Sequence, residues 1–145
     1  IDLATDKATE LLSESGTAYN NMQTIDEALE KLSKSKFRSS FHLKEKDIEY
    51  INKVGMDKIK QHAKDFIKTR LAPKYIPNDG KQTPMKGHPV FIAQHACGCC
   101  CRGCLNNWYR VNKSTILTET QQEKIVNLLM AWIEKEYNSK INTQK

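Results

Sequence analysis

Apolar residues recur every three or four positions along most of this chain, which is the period of an amphipathic helix. A first stripe lies in residues 3–12. A second follows Thr24 and Glu27, whose spacing predicts a capping box at a helix start. A third stops at Gly55, as is typical of a helix end, and a fourth runs through residues 56–67. This pattern predicts an all-α protein.

The second half of the chain reads as a loop followed by three helices. Residues 73–87 contain three prolines and two glycines, which predicts a loop. A short buried helix is expected to begin at Pro89, and another covers residues 105–109. Thr118 with Gln121 predicts the cap of a last helix. No stretch alternates with the period of a strand, so we expect a small helical domain.

Charge divides the chain into two unlike parts, although the net charge is only +6. Residues 1–30 carry seven acidic residues against one lysine, whereas residues 31–74 carry thirteen Lys or Arg against five acids. We therefore predict an acidic N-terminal helical extension, residues 1–34, and a single helical metal-binding domain, residues 35–145.

The basic stretch has two interpretations. Lys60, Lys64 and Lys68 are spaced to share one helix flank, which could follow a phosphate backbone of nucleic acid. Alternatively, the lysines are solvated helix faces that the acidic segment partly neutralises. The sequence leaves both open.

The chain lacks a run of about twenty apolar residues, so no membrane span is predicted. Its start shows no secretory signal, and crowded cysteines suit a reducing compartment. Because the chain begins at Ile1 rather than Met, a removed leader stays open. We expect a cytoplasmic protein, and the sequence does not indicate its oligomeric state.

The sharpest feature is a cysteine cluster, because all five cysteines lie within residues 97–104. Thiolate and imidazole are the ligands that zinc prefers, and zinc is bound by four of them in a tetrahedron. The predicted site lies in the turn between two short helices, with Cys100 and Cys97 as alternate ligands. Its four predicted ligands are His88, His95, Cys101 and Cys104.

Other interpretations of the cluster remain. The spacing of Cys97, Cys101 and Cys104 matches the three-cysteine motif of radical enzymes that use S-adenosylmethionine, so an iron–sulfur cluster is the alternative cofactor. A redox or nucleophilic thiol activated by His95 is a third possibility. A fourth is that the cysteines are small buried residues without chemistry.

The loop before the predicted ligands offers candidate catalytic groups. Asp79 is a candidate general base and Lys81 a candidate clamp for an anionic group, while Gln82 and Thr83 would orient ligands or substrate. The plain alternative is a turn shaped by Asp79, with Lys81 solvated. Gln94 is predicted either as a satisfied buried amide or as a partner of a metal ligand.

Four stretches carry a resemblance to a known family. They are Ser35-Lys36-Phe37-Arg38, Ile76-Pro77-Asn78-Asp79-Gly80-Lys81-Gln82-Thr83-Pro84-Met85, Gly87-His88-Pro89-Val90-Phe91-Ile92-Ala93-Gln94-His95-Ala96 and Cys100-Cys101-Arg102-Gly103-Cys104-Leu105. The chain resembles, over about residues 35–137, the bacterial and archaeal family numbered 4186 among domains of unknown function. The family usually has threonines at positions 97 and 99 and Trp-His-Gly at 108–110, which makes Cys97 a doubtful ligand. The resemblance implies no activity.

Two functions therefore follow from the sequence. The first is a small zinc-dependent enzyme with an anionic or nucleotide-like substrate facing Asp79 and Lys81. The second is a nucleic-acid- or protein-binding module with a structural zinc.

Overall fold

A computed structural model of the chain describes Leu12 and residues 18–143, and every regular element in this part is helical. The predicted all-α class is confirmed. A 3₁₀ turn and a π-helical turn accompany six α-helices. The elements in order are α1 (Ala18–Ser33), the 3₁₀ turn (Arg38–Ser40), α2 (Glu45–Val54), α3 (Met56–Phe66), the π turn (Ile67–Leu71), α4 (Pro89–Ala96), α5 (Arg102–Tyr109) and α6 (Glu119–Thr143).

Helix α6 is the axis of the fold, and α1, α3, α4 and the π turn all pack against it. Its apolar stripe is fully buried at Ile125, Leu129 and Ile133. The predicted cap is present, because the Gln121 amide donates to the Thr118 hydroxyl and the Thr118 amide donates to the Gln121 side-chain oxygen, both at 3.0 Å. This stripe is part of the common core, and burial of apolar surface is the dominant favourable contribution to folding.

The predicted break between α2 and α3 is confirmed at Gly55, whose φ of +89° suits a residue without a Cβ. Helix α3 then continues into the π turn, where the Ala72 amide donates to the Ile67 carbonyl at 2.9 Å. The buried side chains of Ile67 and Leu71 anchor this turn in the core. The loop of residues 73–87 follows, as the prolines predicted.

The capping box predicted at Thr24 and Glu27 is wrong, because α1 already begins at Ala18 and both residues lie inside it. Apolar spacing extended the helix toward the N-terminus past a local capping signal. Ala28 and Leu32 of α1 are buried in the common core. The first predicted stripe lies outside the described residues except for Leu12, which is buried. The division at residue 34 stays a prediction.

Arg102, at the first position of α5, fixes the loop that precedes the site. Its side chain is 2% exposed, and its guanidinium donates to five backbone carbonyls in two chain segments. These carbonyls belong to Leu71, Ala72, Pro73, Asn112 and Thr115. A planar guanidinium can serve both segments at once, which the single ammonium group of lysine cannot do. Arg102 thus joins the end of the π turn to the segment that leads into α6.

Candidate metal centre

Three thiols meet in the turn between α4 and α5. The sulfurs of Cys100, Cys101 and Cys104 all lie within 4.8 Å of one another. The Cys104 sulfur is 3.4 Å from that of Cys100 and 3.2 Å from that of Cys101. Ligand sulfurs around a tetrahedral ion with bonds of about 2.3 Å lie about 3.8 Å apart. This group could therefore hold a metal ion with little rearrangement.

The local backbone explains why the thiols converge. Helix α4 ends at Ala96, and Gly98 reverses the chain with a φ of +70°. A Cβ at Gly98 would lie 2.8 Å from the Trp108 ring, so only glycine fits there. Cys101 is then the N-cap of α5, and its sulfur accepts from the Cys104 amide at 3.3 Å. Two of the three thiols are thus placed on one side of the first turn of a helix.

Asp79 binds the start of α5, although the residue is exposed. Its carboxylate accepts from the Arg102 amide at 2.9 Å and from the Gly103 amide at 3.2 Å. The Gln82 amide group donates to the same carboxylate at 2.8 Å, and its oxygen accepts from the Gly80 amide. A carboxylate at a helix N-terminus satisfies free N–H groups and stabilises the helix dipole. Asp79 therefore positions the helix that carries Cys104.

Thr83 and Gln94 bind the backbone of the cysteine turn. The Thr83 hydroxyl donates to the Cys100 carbonyl at 2.8 Å, and the Gln94 amide group donates to the Cys99 carbonyl at 3.1 Å. Both side chains are buried. The residues predicted to surround a metal ligand thus surround the cysteine turn. Lys81 is exposed, and its role as an anion clamp stays a prediction.

Arg38 approaches the thiols from the 3₁₀ turn, and sequence reasoning gave it no role. Its Nη2 donates to the Cys104 sulfur at 3.2 Å and its Nη1 lies 3.6 Å from the Cys100 sulfur. Nη1 also donates to the His95 carbonyl at 2.7 Å. The side chain is 8% exposed. Because Arg38 lies about sixty positions before the cysteines, no local spacing could reveal this contact.

Hydrogen bonding distributes charge unequally among the thiols. Hydrogen bonds from Cys100, Cys101 and Arg38 lower the pKa of Cys104 far below that of an ordinary thiol. Hydrogen bonding with its two neighbours and burial raise the pKa of Cys100. A thiolate is the form that binds a metal, so the group already contains one ready ligand beside a guanidinium.

His95 lies beside this group but is not part of it. Its Nε2 faces two acceptors, the Thr83 carbonyl at 3.1 Å and the Pro84 carbonyl at 3.2 Å. The hydrogen of a neutral ring is therefore on Nε2, and Nδ1 keeps its lone pair. The ring stacks on Phe41 with centroids 5.4 Å apart.

His88 is used elsewhere in the fold. Its Nδ1 accepts from the Val90 amide at 3.0 Å and caps α4, so the hydrogen of the neutral ring is on Nε2. Nε2 lies 3.0 Å from His62 Nδ1 and donates to it. Tyr50 and Phe66 pack around the pair. Both nitrogens are occupied, so His88 offers no lone pair to a metal in this arrangement. His88 and His95 are seven residues apart, and this spacing in the sequence could not show which way the His88 ring turns.

Cys97 and Cys99 are fully buried and lie outside the three-thiol group. Burial raises the pKa of Cys99 to about 12 and that of Cys97 well above its ordinary value. The Tyr109 hydroxyl donates to the Cys97 carbonyl. The trio of Cys97, Cys101 and Cys104 required by the radical-enzyme spacing is therefore not gathered here. Cys100, which was predicted only as an alternate ligand, is the third member of the thiol group.

The predicted lysine row is exposed on α3 and the π turn. Lys60, Lys64 and Lys68 all line one groove of about 550 Å³. The opposite wall belongs to α6 and carries Glu119 and Glu123. The three lysines share one flank, as their spacing indicates, but they face acidic groups across the groove.

Comparison with known families matches the chain over residues 26–134 to the family described as domain of unknown function (DUF4186). The chain belongs to this family. The match begins inside α1, earlier than the motifs indicated, and it contains the whole three-thiol group. No solved structure matches the chain. No helix among the described residues is long and apolar enough to cross a membrane.

The arrangement of His88 predicts a pH-dependent stability. Burial, with a contribution from neighbouring His62, lowers the pKa of His88 from 6.5 to about 4. The unfolded state therefore binds the proton first as pH falls, so this stability is complete above pH 6.5 and is lost toward pH 4. We expect the free energy of unfolding to fall by up to about 1.4 kcal/mol per pH unit within this window.

The measurement is urea unfolding of the metal-free protein at several pH values, beside His88→Asn. Asparagine preserves an N-cap acceptor but does not titrate. The variant should show a flatter dependence of the unfolding free energy on pH. Parallel curves for the two proteins would contradict the assignment.

Proposed function

We propose that this protein binds one zinc ion through Cys100, Cys101 and Cys104. The observation that supports this best is the proximity of the three sulfurs, because the Cys104 sulfur lies 3.4 and 3.2 Å from the other two and ligands on a single ion lie about 3.8 Å apart. An iron–sulfur cluster inserts its own iron and sulfide atoms between cysteine ligands, so it needs sulfurs farther apart. Thiolates select soft and borderline ions over calcium or magnesium.

Charge balance favours a divalent ion. Three thiolates carry three negative charges, and a divalent ion with the Arg38 guanidinium carries three positive ones. Burying uncompensated charge is costly, so a site with no net charge is the stable one. A fourth ligand that keeps this balance must be neutral.

His95 is our candidate for that fourth ligand. Its Nε2 hydrogen points to backbone carbonyls, and Nδ1 is left with a lone pair. This is the usual arrangement of a histidine that binds a metal. Because His95 lies outside the thiol group, its ring must turn toward the sulfurs as the ion binds. Three cysteines and one histidine are a common structural zinc set.

We propose that the zinc is structural. Its ligands would join the end of α4 to the start of α5, and the same turn is bound by Thr83, Gln94 and Arg38. The Asp79 carboxylate accepts hydrogen bonds from two backbone amides and from Gln82, which argues against its proposed use as a general base. The enzyme hypothesis stays as the second candidate, because three thiolates without His95 would leave a coordination position open to an anionic substrate.

Replacing one ligand tests the site. Cys104→Ser should remove the metal and lower the melting temperature, since part of the metal-binding free energy is folding free energy. Elemental analysis should find about one zinc per chain in the wild type and much less than one in the variant. Amide hydrogen exchange in residues 88–96 and 105–109 should be faster in the variant.

Cys97→Ala is the matched control, because it removes a cysteine from the same turn that lies outside the group. It should lose some packing stability and keep its zinc. A brown wild-type protein absorbing near 400 nm would replace zinc by an iron–sulfur cluster. Equal metal loss in both variants would contradict the ligand assignment.

A domain with a structural zinc would act by binding a partner. We propose that this partner is nucleic acid and that it binds the row formed by Lys60, Lys64 and Lys68. Reversing Lys60, Lys64 and Lys68 to Glu should abolish binding to a short duplex at low salt while zinc content is unchanged. In the wild type the logarithm of affinity should fall linearly with the logarithm of salt concentration, by about 0.9 per phosphate neutralised. Fluorescence anisotropy measures both.

The control reverses three exposed lysines away from the row: Lys46, Lys86 and Lys113. It changes net charge equally but leaves the groove intact. If both triple variants lose affinity alike, the attraction is only general charge. If the wild type does not bind at low salt, Glu119 and Glu123 neutralise the row and nucleic acid is not the partner.

A further inference from the structure

In the part of the chain that the structure describes, one buried cation contacts the thiol group, and it comes from a distant part of the sequence. Arg38 reaches Cys100 and Cys104 through two different nitrogens and is tied to the His95 carbonyl by a third hydrogen bond. We propose that Arg38 is a positioning residue of the metal site, holding two ligands and compensating the excess charge of the third thiolate. This inference rests on the proposed function.

The geometry suits arginine specifically. A guanidinium presents its N–H groups in a rigid plane, so one side chain can direct hydrogen bonds to two sulfurs and a carbonyl at once. Hydrogen bonds between charged groups are also about twice as strong as neutral ones. The guanidinium carbon also lies 5.0 Å from the centroid of the neighbouring Phe37 ring, within the range of a cation–π contact. The planar group is thereby fixed before a metal arrives.

Nearby cations are otherwise committed or solvated. The Nη atoms of Arg102 bind the backbone carbonyls of the π turn and of the segment before α6. Lys36 and Lys81 are exposed. Compensation of the third thiolate therefore depends on Arg38. Because Arg38 is buried, its electrostatic stabilisation of the thiolates is larger than that of a surface ion pair, which water and salt would screen.

Loss of the Arg38 guanidinium should weaken zinc binding. Groups that orient metal ligands from outside the coordination shell typically change metal affinity by about 10–100-fold when removed. With three thiolates, loss of the guanidinium leaves one buried negative charge. With only two thiolates a divalent ion is already balanced, so the guanidinium should then matter much less.

A double-mutant cycle tests this directly. Arg38→Gln and Arg38→Met remove the charge, Arg38→Lys restores it, and Cys100→Ser removes one thiolate. The zinc dissociation constant is measured by chelator competition at one pH and one salt concentration. We expect Arg38→Gln to weaken zinc binding about 10–100-fold in the wild-type background and less than about threefold with Cys100→Ser. Arg38→Lys should recover part of the loss.

Lys36→Met is the matched control, since it removes an exposed cation two positions earlier and should leave zinc affinity unchanged. An equal loss in both backgrounds would mean that Arg38 only packs, and would overturn the inference. If the wild type binds zinc and Arg38→Gln changes the zinc dissociation constant less than threefold, the role proposed for Arg38 is overturned. The proposed zinc site itself would then still stand. A wild type that binds no zinc would overturn both. If Arg38→Gln and Arg38→Met do not fold, Arg38→Lys takes their place. Its effect on the zinc dissociation constant is then compared with and without Cys100→Ser.

Discussion

The turn between α4 and α5 depends on hydrogen bonds from side chains, most of them distant in the sequence. Thr83 and Gln94 satisfy two of its carbonyls, Asp79 satisfies the first amides of α5, and Arg38 binds the end of α4. A buried turn has backbone groups that water cannot reach, and each unmatched group would cost about 1–3 kcal/mol. The long loop of residues 73–87 supplies several of these partners. The thiols converge because the backbone beneath them is fixed.

This arrangement explains why a polar loop and a cysteine turn occur together in one small helical domain. Asp79 and Gln82 position the loop against α5, and Arg102 fixes both the start of that loop and the approach to α6. Asp79, Gln82 and Thr83 therefore all bind backbone groups of the loop, of α5 or of the cysteine turn. A metal at the three thiols would add a further connection at the same place, where α4 and α5 meet.

The helical architecture could be predicted because its signals are local. Gly55 ends a helix, Pro89 starts one, and Thr118 caps another, each through contacts with residues a few positions away. The thiol group was predictable for the same reason, since its members lie within five positions. Thr24 shows the limit, because α1 begins at Ala18, before this local capping signal.

What could not be predicted depends on orientation or on distant contacts. His88 and Pro89 begin α4 as expected, yet the ring of His88 turns to His62 and caps the helix instead of approaching the thiols. Periodicity places a residue on a helix face but does not fix which nitrogen of a ring carries the hydrogen. Arg38 contacts the cysteines across more than sixty positions, and only the folded chain brings them together.

X-ray absorption at the metal edge of the purified wild-type protein tests the account most directly, because it identifies the element and counts its ligand atoms. The account predicts zinc with three sulfur neighbours at about 2.3 Å and one nitrogen at about 2.0–2.1 Å. A fourth neighbour without the multiple scattering of an imidazole ring would favour the enzyme hypothesis over a saturated structural site. Iron with iron neighbours, or a metal with fewer than three sulfurs, would contradict the three-thiolate zinc site.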